Sequence, residues 1–251
     1  MRDLLSLSQK EVGRFLRVWK QTLIPPVITI VLYLLIFWKF IWDKISIIEW
    51  VNYIDFIFPG LLMMSVIMAS YGNSSFSFFG SKFQKNIEEL FVSPMSSWKI
   101  LVWFCIWAIA RGMCVGWLVF TAWYLMIDLQ IHSYFFMFLF LFLTSLMFAL
   151  AGLLNGLYAK SFDDVNIIPS FIITPLIYLG WVFYSIDLLS PFWKILSQFN
   201  PILYMVNGLR YAFIWVSDVS LFVALWIIIN FIIILFGLTL YLLKKWYGIR
   251  S

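Results

Sequence analysis

Six runs of about 20 or more mostly apolar residues, separated by short polar clusters, account for nearly all of this chain. A segment of that length crosses a bilayer as a helix, because without water every backbone N–H and C=O has to be satisfied within the segment itself. The runs fall at 23–42, 57–79, 99–126, 134–157, 167–186 and 219–243. No hydrophilic stretch is left that could form a soluble domain, so residues 1–251 read as one membrane domain. Composition agrees, since 64% hydrophobic and 12% charged residues lie far from the balance of soluble proteins. The first run opens at Pro25-Pro26, where missing amide hydrogens cost least if a helix starts there. With no small-residue cleavage site after it, it reads as a retained anchor.

Orientation follows from the cations. With both termini cytoplasmic, the inner segments hold Arg2, Lys10, Arg14, Arg17, Lys20, Lys82, Lys85, Lys99, Lys160, Lys244, Lys245 and Arg250. The outer segments hold Lys39, Lys44, Lys194 and Arg210, while the acids divide evenly. The net charge of +5 is thus a product of topology and of contact with anionic lipid, and no basic stripe points to nucleic acid.

Two polar-flanked segments have helical amphipathicity. Before the first span, Val12, Phe15, Leu16, Trp19 and Leu23 share one face, opposite Lys10, Arg14, Arg17 and Gln21. This describes an interfacial helix over 1–22, or a continuation of the first span. Between spans two and three, Phe83, Ile87, Leu90 and Phe91 face away from Lys82, Lys85, Glu88 and Glu89. The spacing predicts a short cytoplasmic helix that docks on lipid, on the protein or on a partner. Pro94 stops it, and Ser96 or Ser97 caps the third span. The pairs Gly112 and Gly116, Gly152 and Gly156, and Ser65 and Ala69 are spaced for close helix contact. Between spans five and six, a stretch too apolar for a solvated loop is broken by Pro191, Asn200-Pro201 and Gly208. It reads as a re-entrant pair of half-helices or as an interfacial hairpin.

Candidate chemistry is sparse. Arg111 is the one ionisable residue near the middle of a span, where a charge must face protein or water. It either lines a path for an anionic or polar substrate or pairs with backbone carbonyls or an acid on another helix. The single histidine, His132, gives histidine-based metal sites and nucleophiles no material. Asp163-Asp164 reads as a solvated loop, and FFGSK near residue 80 lacks the spacing of a phosphate loop. Cys105 and Cys114 lie about 13 Å apart along one helix, too far to bridge, and read as packing. No metal or cofactor site is expected on this chain.

FPGLLMMSVIMASYGNSSFSFFGSKFQKNIEELFVSPMSSWKILV and PLIYLGWVFYSIDLLSPFWKILSQFNPILYMVNGLRYAF resemble the membrane subunits of ABC-2 type transporters. The likeness is to small bacterial inner-membrane export permeases encoded apart from their ATPase, relatives of polysaccharide and drug-resistance exporters. It implies an all-α integral membrane fold: six transmembrane helices, an N-terminal interfacial helix, a cytoplasmic coupling helix and a re-entrant outer hairpin, with 244–251 as a cytoplasmic tail. It also implies a homodimer bound to two separate ATPase subunits that carry ATP and Mg. Lys82, Phe83, Lys85, Ile87, Glu88, Glu89, Leu90 and Phe91 would then form the coupling helix. The broken segment from Pro191 to Trp215 would cap the outer end of a pathway whose candidate residues are Arg111, Trp181, Asn200, Asn207 and Arg210. Trp181 departs from the family, which often has a small residue there; it would narrow the pathway or fill the dimer interface. An independent secondary transporter or channel centred on Arg111, or a membrane enzyme of lipid metabolism, is the competing function.

Overall fold

The computed structural model describes residues 19–41, 47–48, 51–87, 96–125, 131–183 and 190–245. Apart from one two-residue antiparallel ladder, the regular elements among them are helices. In chain order they are α1 (Trp19–Ile41), the strands β1 (Ile47–Ile48) and β2 (Val51–Asn52), α2 (Tyr53–Phe83), α3 (Ser97–Tyr124) and α4 (Tyr134–Tyr158). Then come α5 (Phe162–Ile168), a π-helical segment (Pro169–Ile173), α6 (Thr174–Leu179), α7 (Pro191–Gln198), α8 (Pro201–Ile214) and α9 (Leu221–Lys244). The ladder pairs Ile47 with Asn52 and Ile48 with Val51.

Among the described residues five helices are long and apolar enough to cross a membrane: α2, α3, α4, the continuous Phe162–Leu179 and α9. Over the first expected span the chain forms the helix α1, whose apolar stretch, Thr22–Tyr33, is shorter than those five. Trp19–Leu23 run directly into that helix, and Pro25 and Pro26 lie inside it rather than at its start. Two successive residues of one turn therefore lack amide donors, a defect that neighbouring groups offset in a membrane protein. Most of the proposed interfacial helix, residues 1–18, and Glu88, Glu89, Leu90, Phe91 and Pro94 of the inner loop, lie outside the described residues.

The bundle is organised around α2, which packs against α4, α3 and α8. Its 31 residues extend about 46 Å, well beyond roughly 30 Å of hydrocarbon. Close approach is bought with small side chains. A methyl group at Gly112 of α3 would collide with Ser70 Oγ, and one at Gly152 of α4 with Ser74 Oγ and the Tyr71 carbonyl. At Gly116 a Cβ would stand 2.9 Å from Val66, and at Gly156 3.0 Å from the Ser75 carbonyl. The spaced glycines thus face α2. Two of its hydroxyls fold back onto backbone, Ser65 Oγ to the Leu62 carbonyl (2.7 Å) and Ser74 Oγ to that of Tyr71 (3.1 Å), which lowers the cost of carrying them inside the bundle. Asn155 of α4 crosses to α2, donating to Ser75 Oγ (3.0 Å) and to the Val165 carbonyl (2.8 Å).

The fifth span begins five residues earlier than its hydropathy suggests. Ser161 and Asp164 form a capping box, with Asp164 N donating to Ser161 Oγ (3.1 Å) and Ser161 N to the Asp164 carboxylate (3.0 Å). Asp163 and Asp164 therefore occupy the first turn of α5, where acids meet the positive end of the helix, and not a loop. At the third span, Ser96 holds the N-cap position but makes no side-chain cap bond. Cys105 is buried as expected; Cys114 is exposed, on the outside of a helix facing away from its neighbours. Large apolar side chains are also exposed on α9 (Phe222, Trp226, Ile233, Ile234) and on the fifth span (Ile167, Phe171, Ile172), the surface expected of lipid contact.

A β-branched side chain at Gly152 should push α4 off α2. Gly152→Val is expected to lower thermal stability in detergent by an amount typical of overpacking, about 1–3 kcal/mol. Gly237→Ala, where a Cβ meets nothing within 4 Å, should leave the melting temperature unchanged.

Candidate functional site

The expected pathway residues Trp181, Asn200, Asn207 and Arg210 come together around α8. One face of that helix carries Asn200 as its N-cap, Asn207 two turns on and Arg210 a further turn away. Each reaches a different neighbour. Asn200 accepts from Ile202 N (3.0 Å) to cap its own helix and donates from Nδ2 to the Leu176 carbonyl of α6 (2.6 Å). Asn207 Oδ1 accepts from Asp218 N (3.1 Å), fixing the chain just before α9. Arg210 donates from Nη2 to the Trp181 carbonyl (2.7 Å), stands 3.6 Å from the Asp218 carboxylate through Nη1, and lies over the Phe56 ring of α2 at 3.7 Å.

Arg210 is wholly buried. The sequence had placed it in an outer segment and made Arg111 the one intramembrane charge. The structure adds that it is enclosed: the segment, already too apolar for a solvated loop, forms α8, which packs on α4, α2 and α9. Its Gly208 sits against the Phe140 ring, two turns into α4, and at its end the Ala212 carbonyl accepts from Ser133 N (2.9 Å). Arg210 is thereby enclosed by protein. A buried guanidinium is tolerated only when paired and hydrogen-bonded. The carbonyl, carboxylate and ring faces of three other segments supply that environment.

What Arg210 holds is itself strained. Trp181 has φ 61°, in the left-handed region that a bulky L residue avoids. The turn is pressed on both sides: a Cβ at Gly60 of α2 would stand 2.9 Å from Val182, and one at Gly180 2.8 Å from Ile202 of α8. The Trp181 side chain is fully buried within its own chain. It has no free surface with which to fill a dimer interface, but it does line a cavity of about 410 Å³ together with Lys194, Gln198, Tyr204, Asp218, Val219 and Val223.

Arg111 takes no part in these contacts. It lies at mid-length on α3 and is 7% exposed, so it faces protein and not lipid. The inner cluster also departs from expectation. Lys82 and Phe83 are the last residues of α2, not the first of a separate helix, and the chain reverses at Lys85, whose φ is 60°. Phe83 and Ile87 therefore do not share one helical face: Phe83 is 66% exposed while Ile87 is buried. Lys82 Nζ donates to the Leu157 and Ala159 carbonyls at the end of α4 (3.0 and 2.8 Å). Phe83 packs edge-on against Phe162 of α5, with ring centroids 5.2 Å apart. Phe56, Tyr204 and Asp218 were not singled out from the sequence. The spacing of Asn207 and Arg210, three residues apart in an otherwise apolar helix, was the available signal for a buried polar face.

Residues 2–214 match the family described as ABC-2 type transporter. The chain is 46% identical over 248 residues, 99% of its own length and 97% of the relative's, to the inner membrane transport permease YadH of Escherichia coli K12. The permeases of the same name from Escherichia coli O157:H7 and Shigella flexneri show the same identity and coverage.

Loss of the guanidinium should release three segments at once. Arg210→Met is expected to cost on the order of 3 kcal/mol, as removal of one partner from a buried ion pair does. Asp218→Asn, which retains the Trp181 and Phe56 contacts, should cost less. Thermal melting of the two variants in detergent checks the ranking.

Proposed function

The chain belongs to the ABC-2 type transporter family, and from that premise we propose that it is the membrane permease subunit of an ATP-driven exporter. Two copies would form the transmembrane part and two separate ATPase subunits would supply the energy, holding ATP and Mg on their own residues. α1 and the five long helices would make six spans in the inner membrane, and the α7–α8 pair a re-entrant cap. Both termini would be cytoplasmic, in keeping with Lys82, Lys85, Lys99, Lys160, Lys244 and Lys245 on the inner side. The cargo is an amphipathic or lipid-like molecule, a polysaccharide or a drug-like compound, and leaves the cytoplasm or the inner leaflet.

One observation carries the coupling. Phe83 projects, largely exposed, from the end of the helix that the rest of the bundle is packed around. An aromatic side chain at that place offers a partner a rigid apolar anchor. Lys82 and the Phe79, Phe83 and Phe162 rings join the same point to the start of the fifth span. A push there reaches α2, α4 and α5 together, as required if nucleotide-driven closure of the ATPase pair is to move packed helices as rigid bodies. The coupling element would thus begin on α2 and continue through Ile87 into the loop that holds Glu88, Glu89, Leu90 and Phe91.

The test is reconstitution with the ATPase encoded beside this chain. The wild-type chain should co-purify with it and support ATP turnover. Phe83→Asp should weaken association on the order of tenfold or more and reduce turnover, while Phe222→Ala, on the far surface, should not. A wild-type chain that binds no such ATPase would sink the permease reading.

A further inference from the structure

The cavity beside the Arg210 clamp has a composition of its own. It lies between α7, α8, the Trp181 turn and the first residues of α9, and at about 410 Å³ it is near the lower end of ligand cavities, which run from roughly 300 to 1,000 Å³. That volume takes a headgroup-sized moiety, not a long chain. Among the described residues its wall carries one cation, Lys194 of α7, and one carboxylate, Asp218. Arg210 holds the carboxylate from behind, yet 14% of the Asp218 side chain remains exposed. Gln198 adds an amide, and Val219 and Val223 make the remaining side apolar.

The surfaces around this polar cavity are inverted relative to a soluble protein. On α7 the polar Lys194 and Gln198 line the cavity, whereas Phe192, Ile195 and Leu196 are exposed. On α9, Val223 lines the cavity and Phe222 and Trp226, on neighbouring positions, are exposed. A compact dipolar pocket thus opens beside a continuous hydrocarbon-loving wall. We propose that this cavity binds the headgroup of a membrane phospholipid that carries both a phosphate and an ammonium group, the phosphate toward Lys194 and the ammonium toward Asp218, with the acyl chains along α9. A headgroup without an ammonium brings no charged N–H donor to the exposed edge of Asp218, and a trimethylated ammonium has no N–H to give to Asp218 or Gln198. The site goes beyond the permease reading and needs no ATPase to be occupied.

The full chain would be extracted from vesicles containing equal amounts of phosphatidylethanolamine, phosphatidylglycerol and phosphatidylcholine, and its retained lipids counted by native mass spectrometry. One phosphatidylethanolamine per chain should be retained about tenfold over either competitor. Lys194→Ala, a change at a half-buried position, and Val223→Trp, which fills the cavity without altering a charge, should each abolish the preference while the protein stays folded by thermal melting. Equal retention of the three lipids by the wild-type chain, or an unchanged preference in the Lys194→Ala protein, overturns the proposal. Because the readout involves no nucleotide, its failure is distinguishable from failure of the ATPase reconstitution.

Discussion

Backbone-to-backbone approach between α2 and its two flanking helices is the constraint on which the remaining structure depends. In a bilayer, apolar side chains gain little by leaving lipid for protein, so helices associate through tight packing and interhelical hydrogen bonds. Gly112, Gly116, Gly152 and Gly156 bring α3 and α4 onto α2, and Asn155 adds the polar tie. Once α2 is enclosed, its Ser70, Asn73, Ser74 and Ser77 are out of reach of lipid. A stripe of this kind on a peripheral helix would face hydrocarbon. The same enclosure leaves α9 and the fifth span on the outside, where exposed aromatic and branched side chains belong.

At the other end of the bundle the organising force is electrostatic. Arg210 is fully buried, and the groups within its reach are the Trp181 carbonyl, Asp218 and the face of Phe56. Breaking any one would leave charge poorly compensated at low dielectric, which makes the arrangement stiff. Residues named as pathway candidates from the sequence are thereby engaged in holding α8 in place. Trp181 and Asp218 belong both to this clamp and to the cavity wall, so occupancy of the cavity and integrity of the clamp are physically linked.

Hydropathy made the long helices legible because the membrane imposes one length and one backbone solution. The ends of α3 and α4 fall within a few residues of expectation for that reason. Errors arose where polar residues do local work that hydropathy scores as loop. Ser161 and Asp164 start α5 within a segment read as solvated, and Lys82-Phe83 continue α2 past the end of the apolar run. The breaks in the segment after span five were legible from its prolines, and Arg210 was placed in that outer segment as a pathway candidate, but its burial was not legible, since its partners Trp181 and Asp218 are 29 and 8 residues away and only the folded chain brings them together. Arg111 was legible as a buried charge, its position on α3 being fixed by the helix, but its surroundings were not.

The π-helical segment Pro169–Ile173 interrupts the fifth span between two anchored ends. Thr174 Oγ1 donates to the Pro169 carbonyl (2.8 Å) across the widened turn, Asn155 holds Val165 before it, and Asn200 holds Leu176 beyond it. A π-helical turn is rare, and it is one of the few places at which a helix kinks. The span is therefore two helical rods meeting at a potential bend, each tied to a different neighbour, rather than one continuous rod. Proline at the bend keeps the turn from being annealed into regular helix, because the donor that would complete the regular ladder is chemically absent.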